Sequence, residues 1–158
     1  MARRGRPRAA RPMLDYGTPE NIKRRLELVQ GGAPELSEYP LGVLLARGLI
    51  DQDQHQGGEK YAALYAKALG LMKQLGFDPG KGTLQDSDLE RIEGQYLECR
   101  HKLARCGLKV HQLVDNITVH REMPLWIGKP GTYGFDDLTR LRYGLDALAD
   151  ILVRKRGR

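Results

Sequence analysis

The sequence predicts an all-α protein: a helical bundle of about five helices, in which long antiparallel, heptad-patterned helices stand between two disordered basic termini. Three observations predict it. Apolar residues recur at steps of three and four through most of residues 15–152. The apolar stock is aliphatic, since hydrophobic residues make up 41% of the chain and aromatic residues only 6%, which favours packed helices over a sandwich. The breaks between apolar runs carry helix punctuation, with proline at starts, short polar caps before them and glycine at ends. A length of 158 residues suits one domain with a real core. The expected organisation is a basic arm over 1–14, the bundle over 15–152 and a basic tail over 153–158.

The arm is unlike the rest. Ala2–Pro12 holds Arg3, Arg4, Arg6, Arg8 and Arg11, two prolines and no acid. It has no apolar surface worth burying, so it is predicted to be disordered alone, and Pro7 and Pro12 bias it toward an extended backbone. A thin, arginine-bearing strand fits the narrow minor groove of A·T-rich DNA, whose negative potential attracts inserted arginine. Arg4-Gly5-Arg6-Pro7 resembles the core of the AT-hook. The resemblance implies that the backbone lies on the groove floor with Arg4 and Arg6 pointing along it. Gly5 has a physical reason there, because a side chain would lift the backbone off the floor. A plain basic tail that touches any polyanion is the competing reading.

Charge placement sharpens the contrast. The net charge is +6, but residues 1–12 carry +5 and the tail carries +4 through Arg154, Lys155, Arg156 and Arg158. The remaining 13–152 hold 17 basic and 20 acidic residues. Positive charge at both ends of a slightly acidic body points to phosphate contacts made by the termini, with little sequence information in them.

A first helix is expected over Asp15–Gln30, with Thr18 as N-cap, Pro19 at the first helical position and Ile22, Leu26 and Val29 as its apolar stripe. Lys23, Arg24 and Arg25 on its outer side would extend the arm or form a solvated face. Gly31-Gly32 stops it. Pro40 opens a short helix bearing Leu41, Leu44 and Leu45, and Gly48 is placed to end it in a left-handed cap. Leu49-Ile50 makes an apolar turn, and Asp51 caps the next helix. Helix, glycine turn and helix resemble a helix-turn-helix, in which Gln52, Gln54 and His55 would read base edges; an ordinary bundle hairpin is the alternative. Gly57-Gly58 marks either a close approach or a kink.

Tyr61, Leu64, Tyr65, Ala68, Met72 and Leu75 form a core-facing stripe. Ser87 with Glu90 reads as a capping box before the longest regular pattern, Leu89, Ile92, Tyr96, Cys99, Leu103, Cys106, Val110, Leu113 and Ile117. The unbroken phase favours one bent helix running to Met123-Pro124; Gly107 argues for a split. A proline- and glycine-rich loop over Pro124–Phe135 is expected to fold Trp126 and Ile127 onto the core. The last helix then starts at Asp136 or Asp137, carrying Leu138, Leu141, Leu145, Leu148 and Leu152.

No catalytic set emerges. Cys99 and Cys106 would lie about 10.5 Å apart along a continuous helix, too far for a bridge within it. Cys99, His101, Cys106 and His111 do not share a face at ligand spacing, so neither a metal nor a cofactor is expected. Nucleophile and dinucleotide signatures are absent, and Gly80-Lys81-Gly82-Thr83 lacks the upstream glycine and strand of a phosphate loop. The expectation is a protein without enzymatic activity. No apolar run approaches bilayer length and the N-terminus has no apolar signal core, so a cytoplasmic, non-membrane protein is expected.

Gly17-Thr18-Pro19-Glu20, the run Tyr39–Ile50, Tyr61-Ala-Ala-Leu-Tyr65 and the run Leu141–Ala149 resemble small proteins of unassigned function from alphaproteobacterial phages and prophages. The resemblance implies a bacterial host cell. The expected function is DNA binding, with double-stranded A·T-rich DNA as partner, in transcription regulation or DNA packaging. A homo-oligomeric packaging subunit resembling the small terminase is one alternative. A phage adaptor without DNA function is the other.

Overall fold

The computed structural model describes residues 18–29, 34–75, 86–128 and 132–154. Among these residues every regular element is helical: α1 (Pro19–Val29), α2 (Pro40–Ala46), α3 (Gln52–Leu75), α4 (Asp86–Cys106), α5 (Leu108–Thr118) and α6 (Thr132–Leu152), with 3-10 turns at Pro34–Glu38 and Leu125–Gly128. The all-α bundle is as expected, with six helices in place of about five.

The sixth comes from Gly107. Its φ of +117° belongs to a backbone region that side chains avoid, and it ends α4 and caps α5 in one residue. Its N–H donates to the Ala104 carbonyl at 3.2 Å, and its own carbonyl accepts the His111 N–H at 3.0 Å. The bent single helix reaching Met123 is therefore corrected twice, by this break and by the end of α5 at Thr118. The apolar phase misled because it survives the break: Cys99 and Leu103 before it share one core with Val110 and Ile117 after it. α6 likewise begins at Thr132, ahead of the expected Asp136.

α4 starts at Asp86, so Ser87 lies inside the helix and the Ser87–Glu90 capping box is corrected as well. Local chemistry sets the boundaries of α1, α2 and α3 as expected. The Asn21 N–H donates to Thr18 Oγ1 at 3.4 Å at the head of α1. Gly48 has φ +69° after α2, where the Leu49 N–H reaches back to the Leu44 carbonyl at 2.9 Å. Asp51 and Gln54 cap α3 reciprocally. The Gln54 N–H donates to Asp51 Oδ1 at 2.8 Å, and the Asp51 N–H donates to Gln54 Oε1 at 3.0 Å.

The core runs through α3 and α6. Tyr61, Leu41, Leu44, Leu103, Leu141, Leu145 and Leu148 are fully buried. The glycine pair of α3 marks a close approach, inside a helix that continues through it. A Cβ on Gly57 would stand 2.9 Å from the Ala149 backbone nitrogen, and one on Gly58 2.6 Å from Leu41 Cδ1. Gly144 makes the matching concession on α6, where a Cβ would stand 2.6 Å from Val114 Cγ2 of α5. Ile127 is buried and Trp126 packs on the core, as expected of the loop before α6.

Candidate nucleic-acid interface

The arm residues Arg3, Arg4, Gly5, Arg6, Pro7, Arg8 and Arg11 lie outside the described residues, as do Lys155, Arg156 and Arg158. What the structure places is the body they attach to, together with Arg154, Gln52, Gln54 and His55.

Arg154 follows the last turn of α6 and is held by three carboxylates. Its guanidinium reaches Asp150 Oδ1 at 2.7 Å, Asp53 Oδ2 at 3.3 Å and Asp146 Oδ1 at 3.4 Å. The hydrogen bonds to Asp150 and Asp53 hold its proton even more firmly than usual. One cation among three anions leaves this surface acidic, and Arg154 serves to join α6 to α3.

The start of α3 sits on that acidic surface. Gln54 is 6% exposed and its side-chain oxygen is engaged by the cap at Asp51. His55 is half-buried, with Nε2 2.9 Å from the Tyr39 hydroxyl and Nδ1 buried without a hydrogen bond. Burial lowers the His55 pKa below the usual histidine value, against a smaller opposing pull from Glu59. Gln52 alone of the three is exposed, and it stands between the caps and carboxylates of Asp51 and Asp53.

The opposite charge gathers where the arm enters the fold. Lys23 and Arg24 are exposed on α1, in the second turn after Thr18. α1 faces the segment 120–127 across an open groove of about 490 Å³, with Leu28, Pro40 and Ile127 among its apolar lining. Arg24, Arg25, His120 and Arg121 line it as cations or potential cations, and Glu38 and Glu122 as anions. Arg121 has φ +53°, a left-handed conformation uncommon outside glycine. The turn is fixed by the His120 N–H on the Asp115 carbonyl at 3.0 Å and the Glu122 N–H on the Asn116 carbonyl at 2.9 Å. The left-handed residue closes the C-terminal turn of α5 and places Arg121 on the lining of the groove. Sequence reading noted Lys23, Arg24 and Arg25 but missed His120 and Arg121, since nothing local signals that residue 121 turns left-handed or faces α1.

A second polar cluster lies within the core. The fully buried Tyr61 donates its hydroxyl to Asp115 Oδ1 at 2.7 Å, and Tyr96 stacks beside Tyr61 with ring centroids 6.4 Å apart. Arg100 donates to the Tyr96 hydroxyl at 2.9 Å and lies over its ring at 5.7 Å. Burial first, then the bond to Asp115, holds the Tyr61 phenol far above its ordinary range, so it stays protonated as a donor. Burial also pushes the Cys99 thiol up to about 11. Both groups are suited to packing and hydrogen bonding rather than to giving up protons near neutrality. Among the described residues no group of three or more His, Cys, Asp or Glu could hold a metal ion, and no helix is long and apolar enough to cross a membrane. Set against protein-family models, curated proteins and solved structures, the chain matches none.

Proposed function

We propose that the protein binds double-stranded DNA, prefers A·T-rich sequence and carries out no chemistry on it. The observation that carries this reading is Arg4-Gly5-Arg6-Pro7 inside an acid-free segment with five arginines. Arg4 and Arg6 enter the minor groove, while Arg3, Arg8, Arg11 and the tail residues Lys155, Arg156 and Arg158 hold phosphates. The exposed cations Lys23 and Arg24, with Arg121 across the groove, support the reading, because they continue positive charge from the arm onto the body. A role in transcription regulation or DNA packaging in a bacterial cell fits such a protein.

Filter binding to A·T-rich and G·C-rich duplexes at two salt concentrations tests it. The expected result is tighter binding to the A·T-rich duplex, lost in the double variant Arg4→Ala, Arg6→Ala. Equal binding to both duplexes would reduce the arm to a general polyanion contact. No binding at low salt would remove DNA from the function altogether.

A further inference from the structure

α1 is amphipathic, yet most of its apolar side is left open among the described residues. Ile22 is 42% and Leu26 43% exposed, and only Val29 of that stripe is buried. Ile22 and Leu26 form one wall of an open groove of about 380 Å³, whose other wall is Pro34, Glu35, Ser37 and Glu38. Both glutamates are exposed there. An isolated helix of 11 residues is marginal in water, so α1 gains from whatever covers those two side chains.

The chain itself carries a cover of the right kind. Residues 2–12 hold no apolar side chain larger than proline, but Met13-Leu14-Asp15-Tyr16 follows at once, and Gly17 then leads into the Thr18 cap. A helix often packs the residue before its cap against the fourth helical position. Here those two residues are Gly17 and Ile22, so the apolar contact falls to Tyr16, one residue further out. We propose that residues 13–16 turn back along α1 and fill the groove, with Tyr16 on Ile22 and Leu14 on Leu26. The lengths match. Ile22 and Leu26 stand roughly 6 and 12 Å along the helix from Thr18. Two and four extended residues reach about 7 and 14 Å back from the same point. Arg11, three residues beyond Leu14, then comes within reach of Glu35 and Glu38, opposite charges on the far wall. A second copy of the chain is the weaker occupant. Two half-exposed side chains fall well short of the roughly 1,000 Å² that a stable interface needs, whereas a segment tied to Thr18 is always at high local concentration. The contact anchors the root of the arginine arm on the body and leaves residues 1–10 as the part that reaches outward.

NMR of the full chain, free of nucleic acid, tests the proposal. Nuclear Overhauser contacts are expected from the Tyr16 ring to the Ile22 methyls and from Leu14 to the Leu26 methyls. Mixing isotope-labelled with unlabelled chains sorts contacts within a chain from contacts between chains. Chymotrypsin gives a second reading, since cleavage after Tyr16 requires the segment to open first. Ile22→Ala and Leu26→Ala should each speed that cleavage about tenfold, equivalent to about 1.4 kcal/mol. Alanine keeps the helix propensity of α1, so faster cutting reports the lost contact and not a frayed helix, and circular dichroism checks that the fold is retained. A parent chain lacking both sets of contacts overturns the proposal. So do contacts found only between chains, which would give the groove to a second copy, or cleavage after Tyr16 that runs equally fast in the parent and both variants. None of these outcomes depends on whether the arm binds DNA.

Discussion

His55 shows how one residue's surroundings decide its use. Its Nε2 faces the Tyr39 hydroxyl at 2.9 Å and its other ring nitrogen is buried without a hydrogen bond, so a proton added there enters a site that solvates it poorly. The folded-state pKa accordingly lies below the usual histidine value. Below pH about 6.5 the unfolded chain takes up a proton that the folded chain refuses. The contribution of His55 to stability is therefore complete above that value, declines as pH drops through the window beneath it, and levels off once the folded chain also protonates. Urea denaturation on the two sides of that window should show the parent losing stability toward acid, and His55→Gln losing less. An identical pH dependence in parent and variant would place the acid sensitivity elsewhere. The sequence made His55 and Gln54 look like base readers because both are polar and near a helix start. Contact with Tyr39, sixteen positions away, is not legible locally, whereas the pairing of Asp51 with Gln54 has the spacing of a capping box.

At the scale of elements, what the sequence revealed depends on how far each signal reaches. The starts of α1 and α3 and the end of α2 were legible because Thr18, Asp51 and Gly48 act on backbone groups three to five residues away. The stripe of α1 was legible as a pattern but not as a contact: Ile22 is 42% and Leu26 43% exposed, and of the three expected core residues only Val29 is buried. Periodicity reports amphipathicity and is silent on whether a partner is present. The break between α4 and α5 was hidden for a related reason, since the helix resumes in the same apolar phase. Gly107 makes that turn with φ +117° and ψ 154°. A side chain there is strained even though a Cβ would meet no atom within 4 Å. Gly107→Ala should therefore destabilise the protein by roughly 1–3 kcal/mol, read as a lower urea midpoint at unchanged slope. A variant as stable as the parent would mean that α4 and α5 merge at little cost, as the apolar phase alone suggested.

Charge organises the whole molecule, and Arg154 is where composition and structure part. In the sequence it belongs to the basic tail with Lys155, Arg156 and Arg158. In the fold it belongs to the junction of α3 and α6, shared among Asp53, Asp146 and Asp150. An arginine already surrounded by carboxylates releases no counterion from DNA, so it adds nothing to the salt dependence of binding. Residues held only by composition to the tail do. Arg156→Ala should reduce the slope of log K against log salt by about 0.9, while Arg154→Ala leaves that slope unchanged. Arg154→Ala should instead lower the denaturation midpoint, and the difference from the parent should shrink as salt rises, because these pairs are exposed and screened. Binding and melting measured across one salt series separate the two roles. If Arg154→Ala flattens the binding slope as much as Arg156→Ala does, Arg154 leaves its aspartates for phosphate when DNA arrives, and the α3–α6 junction becomes part of the DNA-facing surface.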